Sequence, residues 1–139
     1  MAREYQAAKA VNTMVKWMNR FGLGRSETMS TTGRVTGEQR EVPVSPISVD
    51  GVEYLVAPYG EVSWVHNVRS DPMVTMRRGR RVRRCELIEV TDQAAEIVKA
   101  YWDRERFPRP YMDVPGNATV GDFSSVAGRF PVFRVEEGE

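Results

Sequence analysis

Cysteine and histidine are almost missing from this chain: Cys85 and His66 are the only examples of each. A lone thiol cannot close an internal disulfide, and one cysteine with one histidine cannot build a structural zinc site. A reducing, cytoplasmic setting is the simpler expectation, and no metal site is expected. Long apolar runs are lacking too, so no stretch reads as a membrane-spanning helix. The opening Met1-Ala2-Arg3-Glu4-Tyr5 lacks the basic-then-apolar layout of a secretory signal. Neither sign of charge is in excess: 20 Lys and Arg against 19 Asp and Glu leave a net charge of +1. Nothing global therefore attracts nucleic acid. No Ser-His-Asp or Cys-His constellation offers a nucleophile. What is present, 41% hydrophobic and 28% charged residues over 139 positions, suits one globular domain spanning 1–139.

Apolar residues at Val11, Met14, Val15, Met18 and Phe21 recur with helical spacing, predicting an amphipathic helix over 1–22 that ends at Gly22 and Gly24. Short segments then read as strands: Glu27–Thr31, Arg40–Val49 and Val52–Ala57. Asp50-Gly51 suits a two-residue hairpin turn, because both central residues need positive φ. Pro43 and Pro46 remove ladder donors, predicting that the second strand is an edge, bulged or interrupted one. Val62–Ser70 reads as a short helix, Met73–Arg77 and Arg81–Val90 as a hairpin turning at Gly79, and Phe130–Val135 as the last strand. Thr91 or Asp92 is placed to cap a helix running to about Arg106. Pro108, Pro110, Pro115 and Gly116 predict an irregular stretch. Successive strands with few helices argue for an antiparallel sheet or barrel, a mainly β (α+β) fold.

One turn carries chemistry. In Thr31-Thr32-Gly33-Arg34-Val35-Thr36-Gly37-Glu38-Gln39-Arg40, the glycines let backbone amides converge and the hydroxyls add donors. Arg34 and Arg40 supply planar forks that match a phosphate. The same composition also serves an ordinary exposed hairpin. The segment lacks the Lys-Ser/Thr ending of a nucleotide P-loop.

Thr32-Gly33-Arg34 with Gly37 and Arg40 resembles the opening motif of the deazaflavin-dependent nitroreductases, the F420H2-dependent quinone reductase group. Ala57-Pro58-Tyr59-Gly60 followed by Trp64-Val65-His66-Asn67 resembles that family's second motif. Arg109-Pro110-Tyr111-Met112-Asp113 and Phe130-Pro131-Val132-Phe133-Arg134 resemble one branch of it, so the likeness runs from about Arg25 to Val135. The resemblance implies a six-stranded split β-barrel over 25–135, like pyridoxamine-phosphate-oxidase and FMN-binding proteins, with two helices beyond the N-terminal one. It implies coenzyme F420, whose side chain carries a phosphate and a polyglutamate tail. By the same resemblance Arg34, Val35, Thr36, Gly37 and Arg40 would hold that tail. Pro43, Val44 and Ser45 would line the path inward. Ala57, Pro58, Tyr59 and Gly60 would face the ring through backbone amides, with Ser63, Trp64 and Asn67 on its other side. Two departures stand out: many relatives carry lysine or arginine where Val35 stands, and a longer connection where this chain has Glu61-Val62-Ser63.

A reduced deazaflavin delivers hydride from a ring carbon, so the protein must place an acceptor, exclude water and supply a proton. Tyr59 and Tyr111 are the candidate proton donors, beside water, and the implied acceptors are a quinone, a nitroaromatic or a conjugated enone. An FMN- or haem-binding split barrel, acting as carrier, sensor or flavin reductase, is the rival reading. His66 reads as a surface or hydrogen-bonded residue. Arg77, Arg78, Arg80, Arg81, Arg83 and Arg84 read first as a solvated hairpin tip and next as a share in tail binding. Nucleic acid comes last, for want of interleaved aromatics. The N-terminal helix, with Arg3, Lys9, Lys16 and Arg20 around its stripe, could lie on the inner membrane face, although packing on the barrel or on a partner subunit of a homodimer is the leading reading.

Overall fold

The computed structural model describes residues 26–105, 108–114 and 116–138. The proposed N-terminal helix, and with it any membrane contact, lies outside the described residues. Seven strands form one antiparallel sheet: β1 (Glu27–Thr32), β2 (Gln39–Val44), β3 (Ile47–Val49), β4 (Val52–Val56), β5 (Met73–Arg78), β6 (Arg81–Val90) and β7 (Val132–Glu137). Their spatial order is β2-β1-β5-β6-β7-β4-β3. Four helices, α1 (Ser63–Ser70), α2 (Ala94–Arg104), α3 (Arg109–Met112) and α4 (Val120–Val126), and a 3-10 turn (Ala127–Arg129) complete the described elements.

Both predicted hairpins form, and for the expected reason. Asp50 and Gly51 have φ of 52° and 80°, and Val49 pairs with Val52 across them. Gly79 has φ of 60° between paired Arg78 and Arg81. The predicted Arg40–Val49 strand is interrupted at Ser45-Pro46 into β2 and β3, giving seven strands where the resemblance implied six. Three further expectations need correction. The start of α2 is marked by Gln93 in the left-handed region (φ 62°), not by a side-chain cap from Thr91 or Asp92. The stretch expected to be irregular holds α3 and α4. Pro110 sits in the first turn of α3, where its missing N–H costs nothing, and a Thr119–Asp122 capping box opens α4. The last strand begins at Val132, because Phe130 closes the 3-10 turn.

The sheet curls, and one side chain demonstrates it. In a flat sheet β1 and β4 would stand four strand spacings apart, roughly 19 Å. Yet Arg83 Nη2 on β6 lies 3.0 Å from Glu27 Oε2 on β1 and 2.6 Å from Glu53 Oε2 on β4. Inside the curl, Met29, Leu55, Met76, Leu87 and Phe133 pack against Trp64, Val65 and Val68 of α1. On the outer face of β3, β4 and β7, Ile47, Val56 and Val132 are covered by Ile97 and Val98 of α2, Met112 of α3 and Phe123 of α4. The two cores share β4 and β7, whose alternate residues point to opposite sides. Arg83 departs from the solvated hairpin tip expected of the arginine cluster: its side chain is 9% exposed, ringed by Glu27, Glu53 and Glu137.

Candidate coenzyme site

The turn from β1 to β2 closes on itself through two backbone bonds: Gly33 N–H donates to the Glu38 carbonyl at 2.7 Å, and Gly37 N–H to the Gly33 carbonyl at 2.9 Å. A Cβ at Gly33 would stand 3.0 Å from that Glu38 oxygen, so the tight closure depends on glycine. Arg34, Val35, Thr36 and Arg40 are exposed around the turn. The Arg40 guanidinium leans on Glu38 at 3.4 Å.

The turn is docked onto α1 by Asn67, a residue 3% exposed. Asn67 Oδ1 accepts from the Arg34 backbone N–H at 3.1 Å and from Arg34 Nη1 at 2.8 Å. Its Nδ2 donates to Thr31 Oγ1 at 3.3 Å. Arg34 Nη1 also donates to the Ser63 carbonyl at 3.4 Å. Ser63 therefore joins the cluster through its backbone. Trp64, one residue on, is 8% exposed and lies 5.5 Å from the Phe133 ring, so it is packed into the inner core. Pro43, Val44 and Ser45 stand three to five residues along from Arg40, roughly 10–17 Å away. Val44 faces the inner core.

A second group gathers where β4 ends. The Tyr59 and Tyr111 rings meet edge-on, with centroids 5.6 Å apart at 76°. Tyr111 rides on α3, which is held at both ends by arginines. Arg109 Nη2 donates to the Trp102 carbonyl at 2.6 Å, and Arg129 Nη2 donates to the Met112 carbonyl at 2.6 Å. Gly60 has φ of 87°, and a Cβ there would meet the Arg129 carbonyl at 3.4 Å. The expectation that four backbone amides face a ring is only partly compatible with this geometry. Pro58 has no N–H, Ala57 N–H donates to the Pro131 carbonyl at 2.9 Å, and Gly60 N–H to the Ala57 carbonyl at 3.2 Å.

The two groups are joined by Glu61 and Val62 alone. Ser63 lies three residue steps beyond Gly60, which keeps their Cα atoms within about 11 Å. Val62 N–H donates back to the Gly60 carbonyl at 2.9 Å. This short connection is latched from outside. Arg69 pairs with Glu61 and forks onto Glu89, Nε to Oε1 at 2.9 Å and Nη2 to Oε2 at 2.8 Å. Bonds to Glu89 and then Glu61 push the Arg69 pKa above its usual value, so it stays charged. The Arg69 bond and charge hold the Glu61 carboxyl below its usual range. Burial, reinforced by Glu105 and Tyr59, raises the Tyr101 hydroxyl.

Sequence reasoning named Arg34, Ser63 and Asn67 without foreseeing that they touch. It missed Thr31 as the partner of Asn67, Arg69 as a latch and Arg129 as the anchor of α3. Long-range partners of this kind leave no periodic signal.

The family model of F420H2-dependent quinone reductases matches residues 2–114. The chain belongs to that family. This reductase therefore uses reduced coenzyme F420. No curated protein matches the chain. Among solved structures it is similar to an F420-H2 dependent reductase, FDR-A, at 24% identity and a TM-score of 0.53, over 81% of this chain and 94% of the other. A chain described as a domain-swapped dimer is 22% identical, with a TM-score of 0.53, over 98% and 100% of the two chains. A Listeria innocua protein described as a pyridoxamine 5'-phosphate oxidase is 10% identical, with a TM-score of 0.56, over 91% and 94%. These likenesses bear out the split β-barrel fold.

The geometry of the reductase fits an anionic coenzyme at the turn. Gly33 permits the tight closure of the turn, and the turn carries two exposed arginines, Arg34 and Arg40. Among the described residues no group of three or more His, Cys, Asp or Glu could hold a metal ion. No helix among them is long and apolar enough to cross a membrane.

Proposed function

We propose that this reductase transfers a hydride from reduced F420 to a quinone, nitroaromatic or conjugated enone. The coenzyme tail lies on the Gly33–Arg40 turn and the ring lies beside Tyr59, Gly60 and Ser63. One observation carries the reading: two motifs distant in sequence meet at Asn67, which binds Arg34 through 2.8 and 3.1 Å bonds. A charged tail and a flat ring on one molecule need such adjoining sites.

Arg34, Thr36 and Arg40 would bind the anionic tail, with Val35 beside them and Gly37 shaping the turn. Pro43, Val44 and Ser45 would flank the approach along the edge strand. The Ala57–Gly60 corner, Trp64 and the short Glu61–Val62 connection would orient the ring and keep water from one side of it. When bound, the deazaflavin supplies hydride from its ring carbon. The chain's own task is to fix an acceptor near that carbon and deliver a proton, worth several orders of magnitude in rate through positioning alone. Tyr59 or Tyr111, in mutual ring contact, would hold that proton at its hydroxyl. We take the working unit to be a homodimer, a reading supported by the dimeric relative.

Reduced coenzyme mixed with the purified chain and a panel of the three acceptor classes tests the proposal. Acceptor-dependent oxidation above background is expected. Coenzyme binding without turnover on any acceptor would mark a carrier, and uptake of FMN or haem in place of F420 would defeat the reading.

A further inference from the structure

We infer that Asn67 is a positioning residue that aims Arg34 at the anionic coenzyme tail and ties the tail turn to the ring-side helix. The inference rests on the proposed placement of the coenzyme.

Arginine on an exposed turn samples many rotamers, and restricting them before a ligand arrives removes part of the ordering cost of binding. Asn67 is built for that restriction. It is 3% exposed, so its amide needs protein partners. It finds them on two sides: Oδ1 accepts both the backbone N–H and Nη1 of Arg34, while Nδ2 donates to Thr31 Oγ1. Thr31 is itself fully buried on β1. The Thr31 bond fixes which way the amide faces, leaving the oxygen toward Arg34. The guanidinium is then held by one nitrogen, Nη1, against Asn67 and the Ser63 carbonyl. Arg34 as a whole remains exposed, so the fork is steadied on one side and open on the other.

The same residue reaches the ring side. Asn67 and Trp64 are three apart on α1, and such residues share a helix face. Asn67 thus links the tail turn with the helix that also carries Trp64 and Ser63. The resemblance puts Trp64 and Asn67 together against the ring; in the structure both ends of the Asn67 amide are engaged, by Arg34 and by Thr31. That makes Asn67 a determinant of how strongly the chain prefers the anionic coenzyme to its bare ring system.

Binding of whole F420 and of F420 stripped of its phosphate and glutamates, measured for four proteins, tests this. Asn67→Ala should weaken whole coenzyme roughly tenfold and leave the stripped ring unchanged. Arg34→Ala should do the same or more, and the double variant should be no weaker than Arg34→Ala, since both act through one guanidinium. Additive losses in the double variant, or equal loss for both ligands in Asn67→Ala, would overturn the inference. If Asn67→Ala does not fold, the nearly isosteric Thr31→Val frees the amide to turn. It should give a smaller loss confined to whole coenzyme; no loss, or equal loss on both ligands, would overturn the role. An unaltered chain that binds neither ligand would remove the proposed function itself, and this inference with it.

Discussion

Val35 stands 87% exposed next to Arg34, an apolar side chain in water. Nothing in the fold needs it there. Val35→Lys should therefore tighten F420 binding about three- to tenfold at low salt, with the gain shrinking as ionic strength rises. Titrations at two salt concentrations check it, and no gain at either would place the tail elsewhere. The tyrosines form the other test at this scale. If Tyr59 or Tyr111 delivers the proton, the matching Phe variant should lose roughly a hundredfold in turnover with coenzyme KM unchanged. Turnover with a saturating acceptor measures it. Undiminished turnover in both variants would assign the proton to water. Arg34, Arg40 and both tyrosines were legible as candidates because their chemistry belongs to single residues. The commitment of the Ala57 and Gly60 amides to Pro131 and Ala57 was not legible, since backbone partners carry no side-chain signature.

The connection between β4 and α1 behaves as a latched strap. Glu61 has its pKa depressed below the ordinary 4.5 by the Arg69 bond and charge. A carboxyl whose folded pKa is lowered stabilises fully above its unfolded pKa and loses that contribution as pH falls through the folded value. The strap should accordingly hold at neutral pH and loosen on the acid side below 4.5. Amide-exchange protection factors at Val62 and Ser63, with rates corrected for intrinsic exchange at each pH, report the loosening, and Glu61→Gln should abolish their pH dependence. A pH-dependent protection factor that survives in Glu61→Gln would assign the effect to another group. Elements with a local cause were foreseen well: Asp50-Gly51, Gly79 and the helix ending at Ser70 all follow from turn chemistry and periodicity. The stretch expected to be irregular contains α3 and α4, because Pro108 and Pro110, breakers by composition, stand at a helix start. The Thr119…Asp122 spacing was a usable signal for α4.

For the molecule as a whole, Arg83 joins strands that the sheet order separates. It bonds Glu27 on β1 and Glu53 on β4 while Glu137 of β7 lies 3.8 Å away. Removing the guanidinium leaves carboxylates facing one another in a poorly solvated place. Arg83→Met should cost about 3 kcal/mol, read from urea unfolding, and Glu53→Gln added to it should restore part of the loss. A neutral Arg83→Met would mean that apolar packing alone closes the curl.

By itself the sequence determined the strands and tight turns and the antiparallel class, because glycine, proline and period-two patterns act on neighbouring residues. Its motifs were also enough to name the reductase family. Only the tertiary structure decided that Asn67 holds Arg34, that Tyr59 meets Tyr111 and that Arg83 turns inward. Those pairings join residues 33, 52 and at least 30 positions apart. Such contacts arise from the curl of the whole sheet, which no local pattern encodes.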